Sequence, residues 1–248
     1  VWIMRARLWG NYLEDIQGLL EARGVVVTDE NPDLVITHGG DGALLGAEVK
    51  WPGVPKFPIR DGRTADLCPC HGHESQIDDL VAGRLRETRL AKIRASSNDR
   101  TFLAVNDVCI HNSNRVSAVR YSVFIDEELY AEDVVGDGLV VSTVHGSTAY
   151  YRSITHSTFR VGLGLAFSNS TEVTNHIVIP DTSSIRVRIT RGPAMLVADN
   201  RPDCIDLAEG DDAEVSKSDE TAVALGLENF MCPECRKLRH VLRRGDKR

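Results

Sequence analysis

Two glycine-rich loops, each holding one aspartate, stand about a hundred residues apart in the sequence. The first is Gly39-Gly40-Asp41-Gly42, directly behind the apolar residues Leu34, Val35 and Ile36. The second is Gly136-Asp137-Gly138, which leads on to Gly146-Ser147-Thr148-Ala149-Tyr150. A short glycine turn after a strand lets backbone N–H groups converge on anionic oxygens. An aspartate in such a turn cannot bind phosphate directly; it holds a metal or accepts a proton from an attacking hydroxyl. Together these features point to phosphoryl transfer from a nucleoside triphosphate. Asp41 is the candidate general base, and Gly39, Gly40 and Gly42 are the candidate phosphate cradle. The structural alternative is a tight turn in which Asp41 caps the following helix.

Asn106 and Asp107 are expected to close a strand formed by Phe102, Leu103, Ala104 and Val105. An amide and a carboxylate at neighbouring positions suit a ribose diol, since a carboxylate accepts from two hydroxyls. The alternative is an Asx-turn pair that ends the strand. In the later motif, Gly146 allows a close approach, and Ser147 and Thr148 offer hydroxyls and cap the next helix. Tyr150 can stack or hydrogen-bond. Asp137 reads either as a ligand contact or as a turn residue.

Six cysteines occur, two of them, Cys109 and Cys204, in apolar alternating contexts that read as buried small hydrophobes. Cys68 and Cys70 form one close pair, with His71 and His73 beside them; Cys232 and Cys235 form another. The second pair has the spacing that holds one Zn²⁺ from a tight turn. All four could bind one structural zinc if the C-terminal segment returns to the first lobe. Reduced thiols and a redox dithiol are the other readings.

These residues need elements to hold them. Trp2, Met4, Ala6 and Leu8 alternate as in a strand, and Leu13, Ile16, Leu19 and Leu20 have helical spacing, with Gly24 as a stop. Val25 to Val27 and Leu34 to Ile36 suit a buried parallel sheet. The first glycine loop then opens a helix, the strand-loop-helix geometry that puts ligands at the carboxyl ends of strands. Residues 50–69 read as a loop enclosing one short strand, and 74–85 as a helix. From Arg89 the period is two: Leu90/Lys92/Arg94, Phe102/Ala104, Val116/Ala118, Tyr121/Val123/Ile125 and Ile185/Val187/Ile189, with turns at Asn98-Asp99 and Asp126-Glu127. The expectation is an α/β, Rossmann-like N-terminal lobe over residues 1–97 and a β-rich lobe over 98–230. A cysteine-bearing basic segment, 231–248, would return toward the first lobe.

At 248 residues the chain can bury a substantial core, and 42% hydrophobic with 26% charged residues is ordinary for a globular protein. No apolar run approaches the ~20 residues needed to span a bilayer. There is no charged segment followed by an apolar one, which argues for a cytoplasmic protein. The net charge is −7, yet the last 13 residues carry seven Lys/Arg against one Asp. That tail reads as a solvated face, and the acidic remainder argues against nucleic acid as the partner.

The series Gly-Gly-Asp-Gly, Asn106-Asp107 and Gly-Asp-Gly-Leu-Val-Val-Ser-Thr-Val-His-Gly-Ser-Thr-Ala-Tyr resembles the NAD kinase family, over roughly residues 33–200. The resemblance implies that the attacking hydroxyl is the 2'-OH of the adenosine ribose of NAD, with ATP and Mg²⁺ as the donor. It implies that Thr148, Ala149, Tyr150 and Ser153 hold adenine and ribose, that Asp137 meets the nicotinamide end, and that the protein is a homo-oligomer. The chain departs from the family's Gly-Ile-Asn-x-Gly-Arg-Leu-Gly-Phe-Leu segment: it has Pro58-Ile59-Arg60-Asp61-Gly62-Arg63 and lacks the aromatic. Two rival readings remain: a lipid kinase of the diacylglycerol or sphingosine type, which shares Gly-Gly-Asp-Gly, and a non-catalytic, zinc-stapled nucleotide-binding module.

Overall fold

From Arg5 to Arg60 the chain alternates strand and helix, as the spacing of its apolar residues requires. The computed structural model describes residues 4–63, 71–114, 116–230, 232 and 234. The described residues divide into two compact units: one from Val1–Arg89 and Ala222–Arg248, the other Leu90–Thr221.

The first unit contains β1 (Arg5–Gly10), α1 (Glu14–Glu21), β2 (Val26–Val27), β3 (Leu34–Gly39), α2 (Asp41–Lys50), β4 (Lys56–Arg60) and α3 (His73–Val81). Its strands are parallel in the order β2-β1-β3-β4. β3 is buried along its whole length, the pattern of a strand covered on both faces. Leu34 and Ile36 join Ala6, Leu8, Phe57 and Ile59 under Ile16 and Leu20 of α1 and Ile77 and Leu80 of α3. Val35 lies outside that cluster, as do Leu44, Leu45 and Ala47, the buried apolar residues of α2. α1 stops at Glu21, and Gly24 takes a left-handed φ of 80°, as a terminating glycine does. Leu85 lies past the end of α3 yet still packs on the core.

The second unit is a pair of antiparallel sheets. β5 (Glu87–Ser97), β6 (Arg100–Ala104), β8 (Val119–Ile125), β9 (Glu128–Gly136), β13 (Ile185–Arg191) and β16 (Asp212–Leu225) make one. The other runs β12 (His176–Ile179), β11 (Leu163–Ser168), β10 (Gly138–Ser142), β7 (Asp107–Asn112), β14 (Ala194–Ala198) and β15 (Ile205–Leu207). Their inward residues, among them Val108, Ile110, Tyr121, Val141, Phe167 and Val187, form one shared core. Asn98-Asp99 and Asp126-Glu127 are two-residue hairpin loops with positive φ at both positions, the geometry that matches strand twist. Both turns and the α/β-then-β architecture agree with the sequence reading.

Three local expectations need correction. Val116 is 91% exposed and Ala118 half-buried, so they form a turn before β8 rather than a strand. The Asn112 amide donates to the Asn114 and Ser117 carbonyls, and its Oδ1 accepts from the Asn114 N–H. Side-chain bonds of this kind hold a turn in competition with a ladder. Asn106 does not end a strand: β6 stops at Ala104, Val105 and Asn106 turn, and Asp107 begins β7. Cys204 is half-buried in the link before β15, where its carbonyl accepts from Arg100. Cys109, by contrast, is buried as expected.

Candidate active site

In the first unit Gly10, Gly39 and Arg60 mark the carboxyl ends of three adjacent parallel strands. Gly39 has φ +146°, and a β-carbon there would lie 3.3 Å from that of Ala43. Gly40 occupies the N-cap position in extended conformation, and α2 starts at Asp41. The capping alternative is therefore not realised, because Gly40 holds the N-cap position and Asp41 stands one residue inside the helix. Its carboxylate is 51% exposed, with Oδ1 3.7 Å from Nη2 of the buried Arg60. A helix N-terminus, an exposed carboxylate and a guanidinium in one place suit proton abstraction beside a polyanion.

Neighbouring residues stiffen this strand end. His38 is fully buried, its Nδ1 2.7 Å from the Asn11 carbonyl and its ring edge-on to His73. Arg63 pairs with Asp15 and Asp61 and lies over the Tyr12 ring at 4.2 Å. Asp61 itself is buried. Arg60 had no role in the sequence reading; only its position at the strand end could have pointed to it.

In the second unit the Asn106-Asp107 turn meets the later glycine motif. A β-carbon on Gly146 would lie 2.1 Å from the Asn106 carbonyl oxygen, so only glycine fits. The Thr143 N–H donates to that same oxygen at 2.9 Å, and the Thr143 hydroxyl donates to the Val105 carbonyl at 2.6 Å. The carboxylate of Asp199, which follows β14, accepts from the N–H groups of Val105, Asn106 and Asp107. Asn106 is only 6% exposed, and its Oδ1 has no hydrogen-bond partner among the described residues. Burial, and then the charge of Asp199, push the Asp107 carboxyl up to about 7.

Gly146, Ser147 and Thr148 form a 3₁₀ turn, and α4 (Tyr150–Thr155) follows. Ser147 and Thr148 do not cap α4. Their hydroxyls turn back to carbonyls, Ser147 to Val144 and Phe159 and Thr148 to His145, and Ala149 occupies the cap position. Tyr150 is 37% exposed and tilts against His111 at 5.8 Å. Tyr150 and Ser153 line a pocket of about 450 Å³ with Phe167, Asn169, Glu172 and Asn175. Asn169 donates at 2.8 Å to Asp137, which is exposed. Burial holds the His111 imidazole below its usual value, against the opposing charge of Asp137. His111 and Asn169 were missed in the sequence because no motif surrounds them.

Of the four zinc candidates, Cys68, Cys70 and Cys235 lie outside the described residues. Cys232 is described and buried. Among the described residues no three His, Cys, Asp or Glu side chains gather as a metal site, and no helix is long and apolar enough to cross a membrane. The basic tail also lies outside the described residues.

The family model described as the ATP-NAD kinase C-terminal domain matches residues 105–227, which include the Asn106-Asp107 turn, both parts of the second glycine motif and Asp199. The chain is 28% identical to the NAD kinase of Enterobacter sp. over 207 residues, 77% of this chain and 70% of that one. It is 30% identical to the NAD kinase of Cupriavidus pinatubonensis over 203 residues, 76% and 66% of the two chains. Among solved structures, an NAD kinase from Archaeoglobus fulgidus in complex with ATP superposes with a TM-score of 0.77 at 21% identity, covering 95% of this chain and 99% of that one. The yeast NADH kinase complexed with NADH gives 0.73 at 17% identity, covering 90% and 83%.

Fold and motifs together define a two-unit nucleotide-dependent kinase, in which a glycine-aspartate loop crowns a parallel sheet and an antiparallel sandwich follows. The chain belongs to the NAD kinase family. The lipid-kinase and non-catalytic readings find no support in these comparisons.

Proposed function

We propose that the protein is an ATP-dependent NAD kinase that phosphorylates the 2'-hydroxyl of the adenosine ribose of NAD to give NADP. The single observation that carries the mechanism is the exposed carboxylate of Asp41 directly behind Gly39-Gly40. Asp41 accepts the hydroxyl proton as the ribose oxygen bonds to the γ-phosphorus and the bond to ADP breaks. General-base assistance of this kind contributes ~10²–10⁴-fold. Gly39, Gly40 and Gly42 leave room for phosphate against the start of α2, where the helix field favours negative charge. Arg60 supplies a fixed positive charge 3.7 Å from the base.

The dinucleotide falls to the second unit. Asn106 has a buried amide oxygen in need of a donor, which a ribose hydroxyl supplies. Asp107 accepts from the same diol when ionised. Tyr150 and Ser153 border the pocket suited to adenosine, while Thr148 and Ala149 for adenosine and Asp137 for the nicotinamide end follow the family resemblance. Mg²⁺ would enter with the nucleotide substrate and neutralise charge on the transferred phosphoryl group. A cytoplasmic location, expected from the sequence, and a homo-oligomeric state, implied by the family resemblance, belong to the same proposal. So does a structural zinc held by Cys68, Cys70, Cys232 and Cys235, for which elemental analysis of the purified protein should give about one zinc per chain.

The test is an end-point assay for NADP with NAD, ATP and Mg²⁺, run beside diacylglycerol and sphingosine as acceptors. NADP formation with neither lipid phosphorylated supports the reading. NAD binding without NADP formation overturns it in favour of a non-catalytic module.

A further inference from the structure

The turn that presents Asn106 is latched by a carboxylate more than ninety residues away in sequence. Val105 donates its N–H to Oδ2 of Asp199 at 2.8 Å, and Asn106 and Asp107 donate theirs to Oδ1 at 2.8 and 3.2 Å. The Asp199 N–H returns a bond to the Asp107 carbonyl at 2.9 Å. Asp199 reaches this position with φ +49°, a conformation that aspartate tolerates better than most residues. Its oxygens fill an anion-binding nest of backbone N–H groups, one that a ligand's oxygens fill in other proteins. Thr143 and Gly146 close the opposite side of the turn, so the main chain of Asn106 is fixed while its side-chain oxygen is left without a partner among the described residues.

We propose that Asp199 is a positioning residue for the dinucleotide site: its carboxylate gathers the three N–H groups that shape the Asn106-Asp107 turn, and its charge faces Asp107. The proposal rests on the reading that Asn106 and Asp107 take NAD. A buried carboxylate beside a half-buried one cannot ionise as cheaply as either alone. Burial and the Asp199 charge raise Asp107, while a weak bond from the Cys109 thiol, 3.8 Å away, draws it back. Burial also raises Asp199, opposed by its three N–H donors and by the charge of buried Lys92 of β5. Lys92 in turn lies 3.8 Å from Glu220 of β16. Three donors and a cation oppose the effect of burial on Asp199, and the Asp199 charge in turn raises Asp107. The acceptor form of Asp107 is therefore present above a pH of about 7 and lost as pH falls through it. One unit below that midpoint about a tenth of the protein is competent, so NAD binding weakens about tenfold.

The experiment has two arms on the full chain. In the first, carboxyl ¹³C NMR follows Asp107 in the ligand-free wild type and in Asp199→Asn, which keeps an acceptor oxygen but removes the charge. Asp107 should titrate near 7 in the wild type and at lower pH in the variant. The second arm is KM against pH. Wild-type KM for NAD should rise as pH drops below 7 while KM for ATP stays level, and Asp199→Asn should move that rise to lower pH. Asp199→Ala, which abandons the turn's donors, should raise KM for NAD at every pH. A purely structural role would raise KM in parallel without moving its profile, and that result overturns the proposal, as does an ordinary carboxylate titration of Asp107 in the wild type. Should the Asp199 variants fail to fold, the wild-type titration and a flat KM profile in Asp107→Asn decide it. A raised Asp107 midpoint that falls in Asp199→Asn, in a protein that forms no NADP, would keep Asp199 as the positioning residue and sink the kinase reading.

Discussion

The carbonyl oxygen of Asn106 lies 2.1 Å from where a β-carbon on Gly146 would stand. Two motifs forty residues apart in sequence are thus pressed backbone to backbone, and neither can shift without the other. Gly146→Ala must push the Asn106 turn away from Thr143, breaking a bond of 2.9 Å. The expected loss is about 1–3 kcal/mol from overpacking, read by urea denaturation. KM for NAD should rise and KM for ATP hold. Wild-type stability together with unchanged kinetics would show that the turn is slack.

The strand-loop-helix at Asp41 was legible in the sequence because its signals are local: a continuous apolar strand, paired glycines, then helical spacing. The Asn98-Asp99 and Asp126-Glu127 hairpins were legible for the same reason. Asp199 was not. Its partners are set by the packing of β14 against β7, and from sequence it reads only as a turn residue. Ser147 and Thr148 carry the sequence mark of a cap, yet a 3₁₀ turn intervenes and their hydroxyls find carbonyls instead. Polar residues have several local partners within reach, and the tertiary fold selects among them.

Lys56 of β4 is fully buried and pairs with Glu48 of α2, also buried; the Lys56 ammonium donates as well to the Trp51 carbonyl at 2.6 Å. Lys56→Met removes the ammonium from beside the buried Glu48 carboxylate and should cost about 3–5 kcal/mol. Replacing both, Lys56→Met with Glu48→Leu, should recover most of that loss. Chemical denaturation of the two single variants and the double variant closes the cycle, and additive losses would mean that the pair is not coupled.

Asn106→Ala removes the amide whose buried oxygen lacks a partner among the described residues, and Tyr150→Ala removes the ring on the rim of the pocket proposed for adenosine. Both should raise KM for NAD more than KM for ATP. Asn106→Ala should leave stability within about 1 kcal/mol, since the main-chain bonds of the turn remain and one unsatisfied group disappears. Initial rates with each substrate varied in turn give the comparison. A fall confined to ATP affinity would reverse the roles given to the two glycine loops.

Asp41→Asn tests the base itself. The side chain is half exposed and its ion pair with Arg60 is long, so the nearly isosteric change should leave stability within about 0.5 kcal/mol. NAD affinity should hold, because the residues assigned to NAD are untouched. An amide cannot accept the ribose proton, so kcat should fall ~10²-fold or more. The loss should persist at saturating NAD and ATP, since it belongs to the chemical step rather than to binding. Single-turnover measurement of NADP formation separates that step from product release. A variant that keeps more than about a tenth of wild-type kcat would show that another group takes the proton, a contribution below the usual range for a general base.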